Sequence, residues 1–202
     1  MNKVKICGLT KLDDAILCAK LKVDFVGFIF YKPSPRFIEV KRAKTICNAL
    51  SKYPIKKVGV FVDEEHFRIN KIAKELSLDY VQLHGNESPS FTNKIKCKTI
   101  KAFSVSSVAN NDYTKYNVDF LLFDTFNKEL RGGTGKTFDW KLISGVVNRE
   151  DIILSGGLSI ENINSAIKES NTSFFDICSG VEESPGIKDV KKLETIVRLI
   201  KL

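Results

Sequence analysis

Metal-binding side chains are scarce in this chain of 202 residues, which has only two histidines, at 66 and 84. Its five cysteines, at 7, 18, 47, 97 and 178, are odd in number and scattered, without a C-x-x-C pair. No zinc site is expected from such a set, and the thiols read as reduced ones rather than a disulfide framework. Long apolar runs are missing as well. The longest, residues 25–31, falls far short of the roughly 20 residues that a membrane helix needs, and residues 1–3 lead directly into a strand-like segment. A cytoplasmic protein that binds no membrane is the expectation. Low-complexity tracts and composition breaks are also lacking, so residues 1–202 read as one domain.

A formal charge of +8 raises the question of an acidic partner. The lysines are mixed with Asp and Glu throughout, and the tightest cluster (Lys94, Lys96, Lys98, Lys101) alternates with other residues instead of forming a block. It reads as a solvated surface, and no nucleic acid is expected.

What the chain does have is rhythm. Short β-branched and aromatic runs at 4–7, 25–30, 58–62, 80–83, 99–103, 120–124, 152–154 and 174–178 make eight candidate strands. Between many of them apolar residues recur at helical spacing, as in Leu12, Ala15, Ile16, Ala19, in Ile69, Ile72, Ala73, Leu76, in Ile160, Ile163, Ala166, Ile167 and in Val190, Leu193, Val197, Ile200. Thr10 with Asp13, and Ser159, offer side-chain oxygens as helix starts. Strands separated by helices run parallel, because only a long crossover restores the strand direction. Eight such units fit a compact α/β protein, a (β/α)8 or TIM barrel with outer helices, and an open doubly wound sheet is the alternative.

Residues i and i+2 of a strand share a face, which pairs Lys5 with Cys7, Gln82 with His84, Leu122 with Asp124 and Asp176 with Cys178. In a barrel these faces point inward and turn polar toward the carboxyl ends, where catalytic groups sit. If strands one and eight close the barrel, Lys5 and Asp176 become neighbours that neutralise each other. Glycine loops follow several strands, and in such barrels the loops after strands seven and eight hold phosphate. Here they supply Ser155, Gly156 and Gly157, then Ser179 and Gly180. The segment Gly132-Gly133-Thr134-Gly135-Lys136-Thr137 is no nucleotide P-loop, since Leu130 stands where that motif needs its first glycine.

Position by position the chain resembles one family, the phosphoribosylanthranilate isomerases of tryptophan biosynthesis. The matching segments are Lys5-Ile6-Cys7-Gly8-Leu9-Thr10, Phe28 with Ser34-Pro35-Arg36, Gly59-Val60-Phe61-Val62, Val81-Gln82-Leu83-His84-Gly85, Asp124-Thr125, Gly132-Gly133-Thr134-Gly135 with Phe138-Asp139-Trp140, Ser155-Gly156-Gly157-Leu158, and 176–182 with Pro185-Gly186. They keep their order from near the first residue to near the last.

The resemblance implies an Amadori rearrangement of N-(5-phosphoribosyl)anthranilate to 1-(2-carboxyphenylamino)-1-deoxyribulose 5-phosphate, without cofactor or metal. By that similarity Cys7 is the general base, Asp124 the general acid and Arg36 the clamp for the anthranilate carboxylate. For His84 three readings stand, a satisfied core histidine, a polar wall of the site or an acid-base group, and it is counted with Arg36 and Asp176 among the substrate-binding residues. Asp176 either orients substrate hydroxyls or only neutralises Lys5, and Gly133 joins the phosphate-binding set. Residues 127–136 form a polar loop able to close over substrate. Cys18, Cys47, Cys97 and Cys178 are assigned to packing. Both catalytic groups need help, since at pH 7 a free cysteine is only about a few per cent thiolate and a free aspartate is almost wholly ionised. Lys5 and the amides after Thr10 are candidate sources of positive potential for Cys7. A related barrel acting on another phosphorylated precursor, and an inactive basic scaffold, are the competing readings. A monomer and a homodimer both stay open.

Overall fold

A computed structural model of the chain describes residues 2–104, 112–124 and 151–202. Eight strands, β1 (Lys3–Ile6), β2 (Phe25–Ile29), β3 (Lys56–Phe61), β4 (Tyr80–Leu83), β5 (Lys98–Ser104), β6 (Phe120–Asp124), β7 (Ile152–Ser155) and β8 (Phe174–Ile177), pair in chain order and all in parallel. Strand β8 pairs back onto β1, with Lys5 opposite Asp176, so the sheet is a closed barrel and the open alternative is excluded. A parallel sheet buried on both faces demands apolar residues almost throughout, which is why runs such as FVGFI and FLLFD are legible as strands.

Outside the barrel lie α1 (Leu12–Lys20), α2 (Val40–Leu50), α3 (His66–Leu76), α4 (Pro89–Thr92), α5 (Ile163–Glu169) and α6 (Val190–Lys201). Each long helix turns one apolar stripe to the sheet; α6 buries Leu193, Ile196, Val197 and Ile200. Such side chains contribute about 1.5–3 kcal/mol each when fully buried. A short antiparallel hairpin, β9 (Glu182–Ser184) with β10 (Ile187–Lys188), stands between β8 and α6. Among the described residues no helix is long and apolar enough to cross a membrane.

The barrel interior is layered. Phe25, Val58, Tyr80, Ile100, Leu122, Ile153 and Phe174 fill the amino-terminal half, with the Phe25 ring 4.7 Å from that of Phe174 and 5.4 Å from that of Tyr80. Two residues further along the strands the same inward faces carry Lys5, Gln82 and Asp176. Beyond these come Cys7, His84, Asp124, Ser155 and Cys178 at the carboxyl ends, so an apolar plug closes one end and polar groups collect at the other.

Two helix starts differ from expectation. The Thr10 hydroxyl donates to the Gly186 carbonyl at 2.6 Å and ties the β1 loop to the hairpin, while α1 has no side-chain cap. Helix α5 begins at Ile163, and the Ser159 amide donates to the Asn162 side chain at 2.9 Å. In both cases a tertiary or turn hydrogen bond outcompetes the cap. Lys101 also departs from the solvated reading of its cluster. On the outward face of β5, it is buried among acceptors from the neighbouring loop.

Candidate active site

Lys5 sits two residues before Cys7 on the inner face of β1. Its Nζ donates to Asp176 Oδ2 at 2.6 Å, and both side chains are buried. The mutual neutralisation expected across the closing strands is present. Burial pulls the Lys5 ammonium down, but the charges of Asp176 and Cys7 outweigh it and hold the group above its usual range.

Cys7 follows β1, and its amide donates to the Ile177 carbonyl at 2.9 Å. Gly27 on β2 makes room for it, since a Cβ there would stand 2.7 Å from the Cys7 sulfur. A hydrogen bond from the Cys178 thiol leads in holding Cys7 well below the usual thiol range; burial opposes, and the charges of Lys5 and Lys188 assist. Cys178 moves the opposite way, pushed up by that same hydrogen bond and by burial. It is therefore a partner of Cys7 and not only packing. Cys18 and Cys47 are core residues whose thiols burial pushes up to about 12 and about 11.

Lys188 went unnoticed in one dimension. Its Nζ donates to the Cys7 carbonyl at 2.6 Å, to the Cys178 carbonyl at 3.1 Å and to Glu182 Oε1 at 3.0 Å. It joins Lys5 as a source of positive potential for Cys7. Nothing in the spacing of a two-residue strand could have pointed to it.

Asp124 ends β6, with His84 Nε2 at 3.4 Å from its Oδ2. Gln82 Nε2 lies 2.8 Å from His84 Nδ1. Gln82 thereby fixes the ring, and Nε2 is the nitrogen that faces Asp124. Asp176 is pushed up to about 7, chiefly by burial and also by the Cys7 charge, while Lys5 and His84 pull it down. It thereby links the two halves of the barrel mouth, the Cys7 side and the His84–Asp124 side. Asp176 Oδ1 and Gln82 Oε1 are buried without a hydrogen-bond partner.

Arg36 reaches the same mouth from the loop after β2. A Cβ on Gly8 would come within 2.8 Å of Arg36 Cδ and 3.0 Å of the Cys178 sulfur, so that glycine lets the arginine pass. Its Nε donates to both carboxylate oxygens of Glu182, at 2.9 and 3.0 Å, and Nη2 donates to Oε2 at 2.6 Å. That pairing raises the guanidinium further. Burial penalises the Glu182 carboxylate, but Arg36 and Lys188 prevail and hold it low.

The loops after β7 and β8 lie side by side, joined by a bridge between Ser159 and Gly180. Gly156 and Gly157 take φ of +91° and +62°, conformations that glycine adopts without steric cost. Ser179 and Gly180 belong to the second loop. Gly133, the 127–136 loop, Phe138 and Trp140 lie outside the described residues. Behind His84, Lys101 Nζ donates to the carbonyls of Leu83 at 3.3 Å and Gly85 at 2.7 Å and to Glu87 Oε2 at 3.0 Å, fastening the loop after β4. Among the described residues no group of three or more His, Cys, Asp or Glu could hold a metal ion.

Comparison with known proteins points one way. The family model for N-(5'-phosphoribosyl)anthranilate (PRA) isomerase matches residues 4–199. The isomerase of that name from Pelobacter propionicus is 39% identical over 202 residues, covering 100% of this chain and 96% of that one. The crystal structure of the phosphoribosyl anthranilate isomerase from Thermotoga maritima superposes with a TM-score of 0.88 at 38% identity, over 100% of this chain and 99% of that one. A further crystal structure of such an isomerase, in complex with reduced 1-(o-carboxyphenylamino)-1-deoxyribulose 5-phosphate, gives 0.85 at 36% identity over 100% and 99%.

Proposed function

The chain belongs to the N-(5'-phosphoribosyl)anthranilate isomerase family, enzymes of tryptophan biosynthesis, and from that premise we propose that its barrel mouth carries out the isomerisation with Cys7 as general base and Asp124 as general acid. The carrying observation is the thiol of Cys7, held well below its ordinary range on the same inward, carboxyl-end face as Asp124.

Asp124, protonated when substrate binds, gives its proton to the ribose ring oxygen as the bond from that oxygen to C1 breaks. The nitrogen lone pair forms the Schiff base. The Cys7 thiolate then takes the proton from C2, which the Schiff base has acidified, and the resulting enolamine tautomerises to the ketose. His84, fixed by Gln82, presents its Nε2 to Asp124 and orients that carboxyl. Asp176 Oδ1 and Gln82 Oε1, the two buried oxygens without partners, are the acceptors for sugar hydroxyls.

Glu182 engages only the Nε–Nη2 edge of Arg36. The end-on edge of the guanidinium, Nη1 with Nη2, has the fork geometry that suits a planar carboxylate, here that of the anthranilate ring. The sugar phosphate sits on the paired loops of Ser155, Gly156, Gly157, Ser179 and Gly180, and the family resemblance adds Gly133 to that set. A relative solved with a reduced product of this chemistry supports the size and charge of that ligand.

Supplying phosphoribosylanthranilate to the purified chain and following its anthranilate-type fluorescence tests the reading. Loss of signal well above the buffer rate is expected; a rate no faster than buffer overturns it.

A further inference from the structure

Cys178 has no part in the proton transfers above, yet it adjoins the sulfur assigned to them. Ile6 pairs with Ile177 in the parallel register, and the Cys7 amide donates to the Ile177 carbonyl. Continuing that register sets Cys7 and Cys178 side by side on adjacent strands, whose backbones run roughly 4.8 Å apart. Lys188 Nζ pins the two carbonyls together, at 2.6 and 3.1 Å, and the two thiols shift each other's protonation in opposite senses. A disulfide accepts Cα separations of about 4.4–6.8 Å, a range that includes the usual spacing of neighbouring strands.

We propose that Cys7 and Cys178 form a reactive dithiol, a modification site at which hydroperoxides close a reversible Cys7–Cys178 disulfide. With hydrogen peroxide, the Cys7 thiolate attacks one oxygen and the O–O bond breaks, leaving a sulfenic acid on Cys7 and a hydroxide that takes a proton from solvent and departs as water. The Cys178 sulfur then attacks the Cys7 sulfur. The S–S bond forms, the S–O bond breaks, and the departing hydroxide takes the Cys178 proton as a second water. Two thiols lose two electrons and the peroxide gains them.

The surroundings set the order of these steps. Cys7 is the thiolate of the pair, while Cys178 is held protonated partly by the Cys7 charge. Once Cys7 becomes a neutral sulfenic acid that repulsion is gone, and Lys188 and Arg36, both of which favour the Cys178 thiolate, act unopposed by it. Burial leaves Cys18, Cys47 and Cys97 with raised thiols, poor competitors for peroxide. That closure also stops turnover rests on Cys7 being the base.

The test treats the reduced chain with hydrogen peroxide and follows intact mass, peptide maps and turnover, before and after dithiothreitol. A loss of two hydrogens mapping to a Cys7–Cys178 link, with turnover lost in step and both restored by dithiothreitol, is expected. In Cys178→Ser no such link forms, and dimedone captures the sulfenic acid on Cys7. Native chain that yields only a dimedone adduct or a sulfinate at Cys7 overturns the dithiol site. A mapped link with turnover intact upholds the site and overturns Cys7 as the base.

Discussion

Lys5 and Asp176 form a buried ion pair at 2.6 Å across the seam where β8 meets β1. The same ammonium also acts on Cys7, so one cation serves a carboxylate and a thiolate inside the barrel. Coulomb attraction at this depth is large, but so is the penalty of taking both charges from water. The pair therefore matters more for what happens when half of it is removed.

Lys5→Met strands a buried carboxylate and should cost about 3–5 kcal/mol in denaturant unfolding, as broken buried pairs do. Adding Asp176→Asn should recover much of that loss. Strictly additive costs in the double variant would show that the two side chains do not act as a pair.

Asp176 also sets a pH dependence. Its carboxyl is pushed up to about 7 in the folded chain, against about 3.9 unfolded. Between these values the folded state holds the extra proton, so the stability that this group contributes is fully present below pH ~4 and is lost as pH rises through ~7. Relative to Asp176→Asn, the native chain should lose stability from pH 4 to pH 8. A difference that stays flat or grows over that range contradicts the burial of an ionisable group here.

Cys7 should alkylate with iodoacetamide along a pH profile displaced well below that of a free thiol, because Cys178, Lys5 and Lys188 favour the thiolate. The half-maximal rate is to be read by peptide mapping of Cys7 alone. A midpoint at or above the free value of about 8.5 removes the thiolate from the account.

Arg36→Lys keeps a charge but not the fork. Loss of one charge-assisted hydrogen bond, about 1.5–3 kcal/mol, should raise KM by roughly tenfold or more, since each 1.4 kcal/mol is about a factor of ten. Substrate affinity should fall by more than thermal stability does, even though the variant also makes fewer hydrogen bonds to Glu182. Equal affinity in the variant, or a fall in stability without a change in KM, denies the clamp.

The eight strands were legible because a barrel sheet is apolar on both faces and its runs stand out between polar turns. Their inward pairs followed from the two-residue period, which is how Lys5 and Asp176 could be joined before any coordinates. Helix α2 carries Ala43, Ile46, Cys47 and Leu50 at helical spacing but was not among the segments singled out. The hairpin of β9 and β10 was illegible for another reason: strands of three and two residues have no period to read. With it went Lys188 and the role of Glu182, both of which work through contacts between segments far apart in the barrel. Lys101 looked like surface because the charge pattern cannot reveal that a neighbouring loop folds over it with Glu87.

The most direct test compares kcat for Cys7→Ser and Asp124→Asn with that of the native chain under saturating phosphoribosylanthranilate. General acid and base groups contribute about 10²–10⁴-fold. Each variant should lose at least about a hundredfold in kcat while still binding a reduced product analogue. A variant of either residue that binds the analogue and turns over at close to the native rate contradicts the assignment.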